Sequence, residues 1–294
     1  MASPAEDYVQ WLYQEQVIKY FRVAPISIWV FDFCLTLSDE VRLLGSRKRW
    51  DLTHILYILT RYFPVISALC AAYNTLMPTR PECVALYTTS QITIFFAMSA
   101  SEALLLFRTL ALWHTQKLVR IPLIGIFIVV VGVMFVCTVI SSTVNLKSIC
   151  PETPTSVPNP QATKFNIVIV GACSSAAFFE LVIIFYTILY GSSLRARTGL
   201  RSTSRLVSVV TQGNMLYALS LFVVSIVNIT FYVLPLYMDW NGLFINFQCI
   251  LHGVMAARIL FELRDALSDG SGIQTFTGTG IVFASRFGAS AEEH

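Results

Sequence analysis

Residues Ile121 to Val144 read IPLIGIFIVVVGVMFVCTVISSTV and hold no charged side chain. About 20 apolar residues in a row is the length that carries an α-helix across the hydrocarbon core of a bilayer. A helix on the surface of a soluble globule keeps a charged or polar face for water. This stretch has no charged position to present, so it predicts a membrane-spanning helix. The fold then depends on whether the rest of the chain repeats the pattern.

It does, on both sides. The chain has 294 residues, 55% of them hydrophobic and 13% charged, with a mean hydropathy of +0.67. A soluble domain carries about 25% charged residues. Three further stretches precede the uncharged one: Tyr20 to Ser38 with Arg22, Pro25 and Asp32, Thr53 to Tyr73 with Arg61 and Pro64, and Val84 to Trp113 with Glu102 and Arg108. Three follow it: Phe165 to Tyr190 with Glu180, the uncharged Val207 to Leu234, and Leu243 to Leu263 with His252 and Arg258. The expected fold is all-α, an integral membrane bundle of seven helices over residues 20–265. Residues 1–19 read as an extracellular N-terminus. Past Asp265 the chain turns to Gly, Ser, Thr and Ala, so residues 266–294 read as a flexible cytoplasmic tail.

Basic residues orient the bundle. Thirteen would lie on one side: Arg42, Arg47, Lys48 and Arg49, then Lys117 and Arg120, then Arg195, Arg197, Arg201 and Arg205, then Arg258, Arg264 and Arg286. Five (Lys19, Arg22, Arg80, Lys147 and Lys164) would lie on the other. The excess predicts a cytoplasmic C-terminus and an outside N-terminus. Glu6 and Asp7 stand where a secretory signal would carry basic residues, so no cleaved signal is expected. Trp50, Trp113, Tyr186 and Tyr190 fall at the inner interface and Tyr73, Tyr87, Tyr237 and Trp240 at the outer one, as in aromatic belts.

Two constellations stand out. Of seven cysteines, only Cys83 and Cys150 fall outside the lipid, in a compartment that permits disulfides. A bridge would pin the loop from Asn145 to Lys164 over the bundle; the alternative is two free thiols. Inside the spans lie Asp32, Arg61, Glu102, Glu180 and His252. An isolated charge there costs about 2.5–3.5 kcal/mol. Either Arg61 pairs with a carboxylate to lock helices together, with Asp32 at matching depth, or these residues form a ligand or ion site or a switch. Arg108, near the inner end of its helix, reads as an arginine that snorkels to the interface.

Enzyme templates fail. His54, His114, His252 and His294 are too scattered for a metal-ligand motif, and no phosphate loop, nucleophile elbow or HExxH occurs. No lysine lies within a span to carry a retinal Schiff base, and no basic, aromatic-rich patch suits nucleic acid. The expectation is a non-enzyme with no cofactor, no metal and no nucleic-acid partner. The one Asn-x-Thr sequon, at Asn228, falls inside the sixth span, out of reach of glycosylation.

Three stretches carry a resemblance: FDFCLTLSDEVRLL with the following Trp50 and LYILTRYF, EALLLFRTLALW from Glu102, and NFQCILHGVMAARILFELRD from Asn246. The chain resembles a family of basidiomycete fungal seven-helix proteins, defined by an N-terminal membrane domain of unknown function, here residues 20–65. The resemblance implies the same topology and no assigned activity. More distantly the chain is similar to G-protein-coupled receptors in helix count, orientation and the Cys83/Cys150 placement. It departs from them in having LFRTLALW where an Asp/Glu-Arg-Tyr motif would end the third helix, and no Asn-Pro-x-x-Tyr in the seventh. The likeness therefore carries no expectation of G-protein coupling.

The leading expectation is a receptor-like protein of the plasma membrane. Its unknown ligand would bind among helices three, five, six and seven. A cytoplasmic signalling partner would meet the basic loops, including Arg47, Lys48, Arg49, Arg195, Arg197, Arg201 and Arg205. The alternatives are a small transporter or channel that uses the intramembrane carboxylates, and a non-transporting scaffold.

Overall fold

The computed structural model describes residues 4–45, 52–76, 83–113, 116–144, 160–198, 205–234 and 243–269. These form seven α-helices: α1 (Pro4–Leu44), α2 (Leu52–Leu76), α3 (Cys83–Leu112), α4 (Lys117–Val144), α5 (Pro160–Thr198), α6 (Arg205–Val233) and α7 (Leu243–Asp269). Among the described residues, α1 to α6 each hold a stretch long and apolar enough to cross a membrane. α7 carries Asn246, Gln248, His252 and Arg258, and the first three are buried.

Helix ends run past the sequence expectation in α1, α5 and α7, the last of which continues to Asp269, inside the stretch expected as a tail. α1 begins at Pro4 rather than near Tyr20, and its 41 residues extend for about 60 Å at 1.5 Å per residue. Proline at the first helical position needs no hydrogen-bond donor and has its φ preset, and no further Pro or Gly occurs before Pro25. α5 likewise starts at a proline, Pro160, and runs on to Thr198. Arg195 and Arg197, expected in a loop, are therefore in the last turns of a helix.

The helices form a closed ring with one member drawn inward. Each helix packs on the next in chain order, and α7 closes back onto α1 and α2. α3 also touches α5, α6 and α7. Its spanning window is 61% buried, against 17–39% for the other five spans. The main apolar core surrounds it: Leu105, Leu110, Leu123, Phe179, Ile183, Tyr217 and Leu221.

The surface is inverted relative to a soluble protein. α4, uncharged after Arg120, exposes Ile121, Ile128, Val129, Phe135 and Val136, while Asp32, Glu40, Arg61, Glu102, Glu180, Asn228, Gln248 and His252 are buried. Water would favour the opposite arrangement; hydrocarbon favours this one, because polar groups at membrane depth turn to the bundle interior. The chain is an all-helical protein of multi-pass membrane type.

Gly253 sets how closely α7 lies on α2. A Cβ there would stand 3.5 Å from Arg61 Cα and well inside contact distance of the Thr60 carbonyl oxygen. Only a small residue permits such an approach.

Several sequence expectations concern residues outside those described. Cys150, Arg47, Lys48, Arg49 and Arg201 are among them, as are residues 270–294; of Cys83 only the backbone is described, as the first residue of α3. The Cys83–Cys150 bridge therefore falls outside the described part.

Candidate functional site

The five intramembrane residues singled out in the sequence fall into two groups, both of which involve α7. The first lies between α1, α2 and α7. Asp32, Thr36 and Glu40 recur every four residues and so form one stripe on α1. Arg61 of α2 reaches this stripe, fully buried. Its Nη1 pairs with Asp32 Oδ2, its Nη2 donates to Thr36 Oγ1 at 2.6 Å, and Nη2 stands 4.0 Å from Glu40 Oε2. Tyr62 donates its hydroxyl to Glu40 Oε1 at 2.6 Å, and Trp29 donates Nε1 to the Arg61 carbonyl at 2.9 Å. The second Asp32 oxygen accepts from Arg258 Nε of α7 at 2.9 Å. Asp32 is thus shared between two arginines on two helices. Both Asp32 oxygens are paired, and although Glu40 Oε2 and Arg61 Nε have no hydrogen bond among the described residues, the pairing fits a structural lock, since a buried charge is tolerated when paired and hydrogen-bonded.

The second group is unlike it. Glu102 of α3, Glu180 of α5 and His252 of α7 converge so that one ligating atom from each lies within 4.8 Å of the others. All three are at most 1% exposed. His252 Nε2 is 3.7 Å from Glu180 Oε1, outside hydrogen-bond range. Among the described residues, both oxygens of Glu102, both of Glu180 and His252 Nε2 have no hydrogen-bond partner. Ser225 Oγ, which accepts from Gln248 Nε2, lies beside Glu180. Buried polar atoms left without partners are costly, and here five share one small space.

Around this group the packing is ordered. Ser101 Oγ shares a hydrogen bond with His252 Nδ1 and another, at 3.1 Å, with Tyr217 OH. Arg108 lies over the Tyr217 ring, its guanidinium carbon 5.3 Å from the centroid, and Nη2 donates to the Ala256 carbonyl at 3.1 Å. Arg108 therefore does not snorkel outward. α3 sits in the middle of the bundle, so the nearest acceptor is the α7 backbone. A crevice of about 50 Å³ lies between α3, α4, α5 and α7. Met98, Ala176 and Gln248 line it, each one helical turn from Glu102, Glu180 and His252 in the direction of the Cys83 end. That volume has room for a few water molecules, not for a drug-sized ligand.

Spacing along the chain could not reveal the second group, because its members come from three helices that are distant in sequence. A usable signal lay in α7, where Gln248 and His252 sit four residues apart on one face. Gln248 continues that face into hydrogen bonds with Asn228 and Ser225 of α6. Asn228, the residue of the sequon, is buried in this network.

Residues 20–66 match the model of a family of unknown function (DUF6533). The match covers every member of the Asp32–Arg61 network except Arg258, and none of the Glu102–Glu180–His252 group. No curated protein and no solved structure matches the chain.

Proposed function

We propose that this is a receptor-like membrane protein that crosses the bilayer seven times, with its N-terminus outside and its C-terminus in the cytoplasm of a plasma-membrane-bounded cell. The working site is the group at Glu102, Glu180 and His252, and the α1–α2–α7 network reports its state. One observation carries the reading: α7 holds Arg258 in the first group and His252 in the second, six residues apart, about 9 Å along a helix. A shift or rotation of α7 that answers a change at His252 also strains the Arg258–Asp32 pair. The Ser101–Tyr217–Arg108–Ala256 contacts give a parallel route from the site to the same stretch of α7. In this orientation the ends of α5 and α6 whose sequence carries Arg195, Arg197 and Arg205 lie on the cytoplasmic side, where an anionic partner would meet them. Cys83 and Cys150 then lie on the oxidising side, where they form a bridge.

Hydrogen–deuterium exchange in nanodiscs tests the coupling. Glu180→Gln is expected to change protection not only around α3, α5 and α7 but also in the segment from Asp32 to Leu44 and the first turns of α2. Changes confined to the three helices of the site would contradict a receptor role. Flux of protons or divalent cations into proteoliposomes that disappears with Glu180→Gln would favour the transporter, a reading that the unpartnered carboxyls also support.

A further inference from the structure

We infer that Glu102, Glu180 and His252 bind a divalent first-row transition-metal ion, zinc or a close relative, through one oxygen of each carboxylate and His252 Nε2. This deepens the reading of the group as the working site. The geometry has the parts that such a site needs. Three helices of the bundle each supply one ligating atom, with all three inside 4.8 Å. Metal–ligand bonds of about 2.0–2.2 Å require these atoms to close by roughly an ångström, a displacement within reach of side-chain torsions on fixed helices. Nε2 is free, while Nδ1 is held by Ser101. A hydrogen bond on one imidazole nitrogen that leaves the other for the metal is the usual second-shell arrangement.

Charge and donor type narrow the ion. Two carboxylates and a neutral imidazole carry −2, which one divalent cation cancels; a buried site in a low-dielectric bundle favours that balance. A monovalent ion would leave one charge uncompensated. Calcium and magnesium prefer sets of oxygen atoms, whereas an imidazole with carboxylates suits zinc, manganese or iron. Arg108 of the same helix as Glu102 contacts Tyr217 and the Ala256 carbonyl; its Nη1 has no hydrogen-bond partner among the described residues, and it gives none to either carboxylate.

A route is also present. The crevice ends one turn from all three ligands, and the sulfur-bearing residues Met98, Met134, Cys137 and Cys173 line it. Soft sulfur along the approach favours a transition metal over a hard ion. A volume near 50 Å³ accommodates a partly hydrated ion and excludes larger ligands.

The test uses the full chain in nanodiscs, stripped with chelator and titrated with Co²⁺ and Zn²⁺. Expected are one equivalent of tightly bound metal per chain, visible-region cobalt bands of a nitrogen- and oxygen-ligated ion, and a metal-dependent rise in Tm. Glu102→Gln, Glu180→Gln and His252→Ala each abolish all three signals. Ser101→Ala keeps the ligands and weakens binding by about 10- to 100-fold. His54→Ala, on the rim of α2, serves as a control with unchanged binding. If metal binds in the site variants as in the parent chain, or if no stoichiometric metal binds, the proposal is overturned. Should a ligand variant fail to fold, the conservative Ser101→Ala and the cobalt spectrum of the parent chain still decide. Exchange coupling between the two groups is a separate measurement, so its failure would remove the receptor role and leave metal binding standing.

Discussion

Arg258 donates Nε to Asp32 Oδ1 at 2.9 Å across 226 residues of chain, while Arg61 holds the other oxygen. The last helix is thereby tied to the first through one carboxylate that also anchors the second. The two arginines differ in setting. Arg61 is fully buried and the Arg258 side chain is half exposed.

That difference predicts unequal costs. Arg61→Ala leaves Asp32 and Glu40 buried without their main cation and should cost about 3–5 kcal/mol, seen as a large drop in Tm or loss of folded protein in detergent. Arg258→Ala removes a partly screened pair and should cost under about 1 kcal/mol. The double change Asp32→Leu with Arg61→Met should recover most of the Arg61→Ala loss, because a buried pair is replaced by apolar groups of similar size. Equal Tm losses for Arg61→Ala and Arg258→Ala would show that the buried pair is not the tie.

Glu40 depends on Tyr62. Its Oε1 accepts the phenol hydroxyl, while Oε2 has no hydrogen bond and lies 4.0 Å from Arg61 Nη2. Tyr62→Phe leaves both oxygens without a hydrogen bond and should lower stability by about 1–3 kcal/mol. Adding Glu40→Leu to Tyr62→Phe should return much of it. Thermal unfolding of the single and double variants, followed by circular dichroism, measures both effects.

Gly253 and Gly132 form a matched pair. Gly253→Leu presses a side chain into the Thr60 carbonyl, whereas a Cβ at Gly132 meets nothing within 4 Å. The first should destabilise by on the order of 1–3 kcal/mol. The second should raise stability by up to about 1 kcal/mol, the helix-propensity difference between Gly and Ala, when changed to Ala. Tm values that fall alike in both would mean that α2 and α7 are not closely packed at Thr60.

Much of the helical plan can be read from the sequence, because spans and their polar gaps differ in composition over whole segments. The uncharged run from Ile121 to Val144 lies within α4. The depth match of Asp32 and Arg61 was open to inspection as well, since adjacent antiparallel helices place such residues by counting. Helix ends were not: α1 and α5 run past the apolar windows because helix geometry continues through polar residues until a breaker or loop intervenes. Nor could counting along the chain bring Glu102, Glu180 and His252 together. Their meeting depends on α3 leaving the ring for the centre, which is a property of packing among several helices. Arg108 was misplaced for the same reason. On a peripheral helix it would reach the interface, but from a central one it turns to α6 and α7.

Among the described residues, six helices hold stretches long and apolar enough to cross the membrane, and α7 turns Asn246, Gln248 and His252 inward. Everything proposed for the two polar groups requires α7 to lie within the membrane beside α1, α2 and α3. The most direct test places distinct epitope tags before Met1 and after His294, then measures their protease access in sealed, oriented vesicles. Seven crossings predict one tag cleaved and the other protected until detergent is added. Two tags cleaved together, or protected together, would mean an even number of crossings and contradict the arrangement.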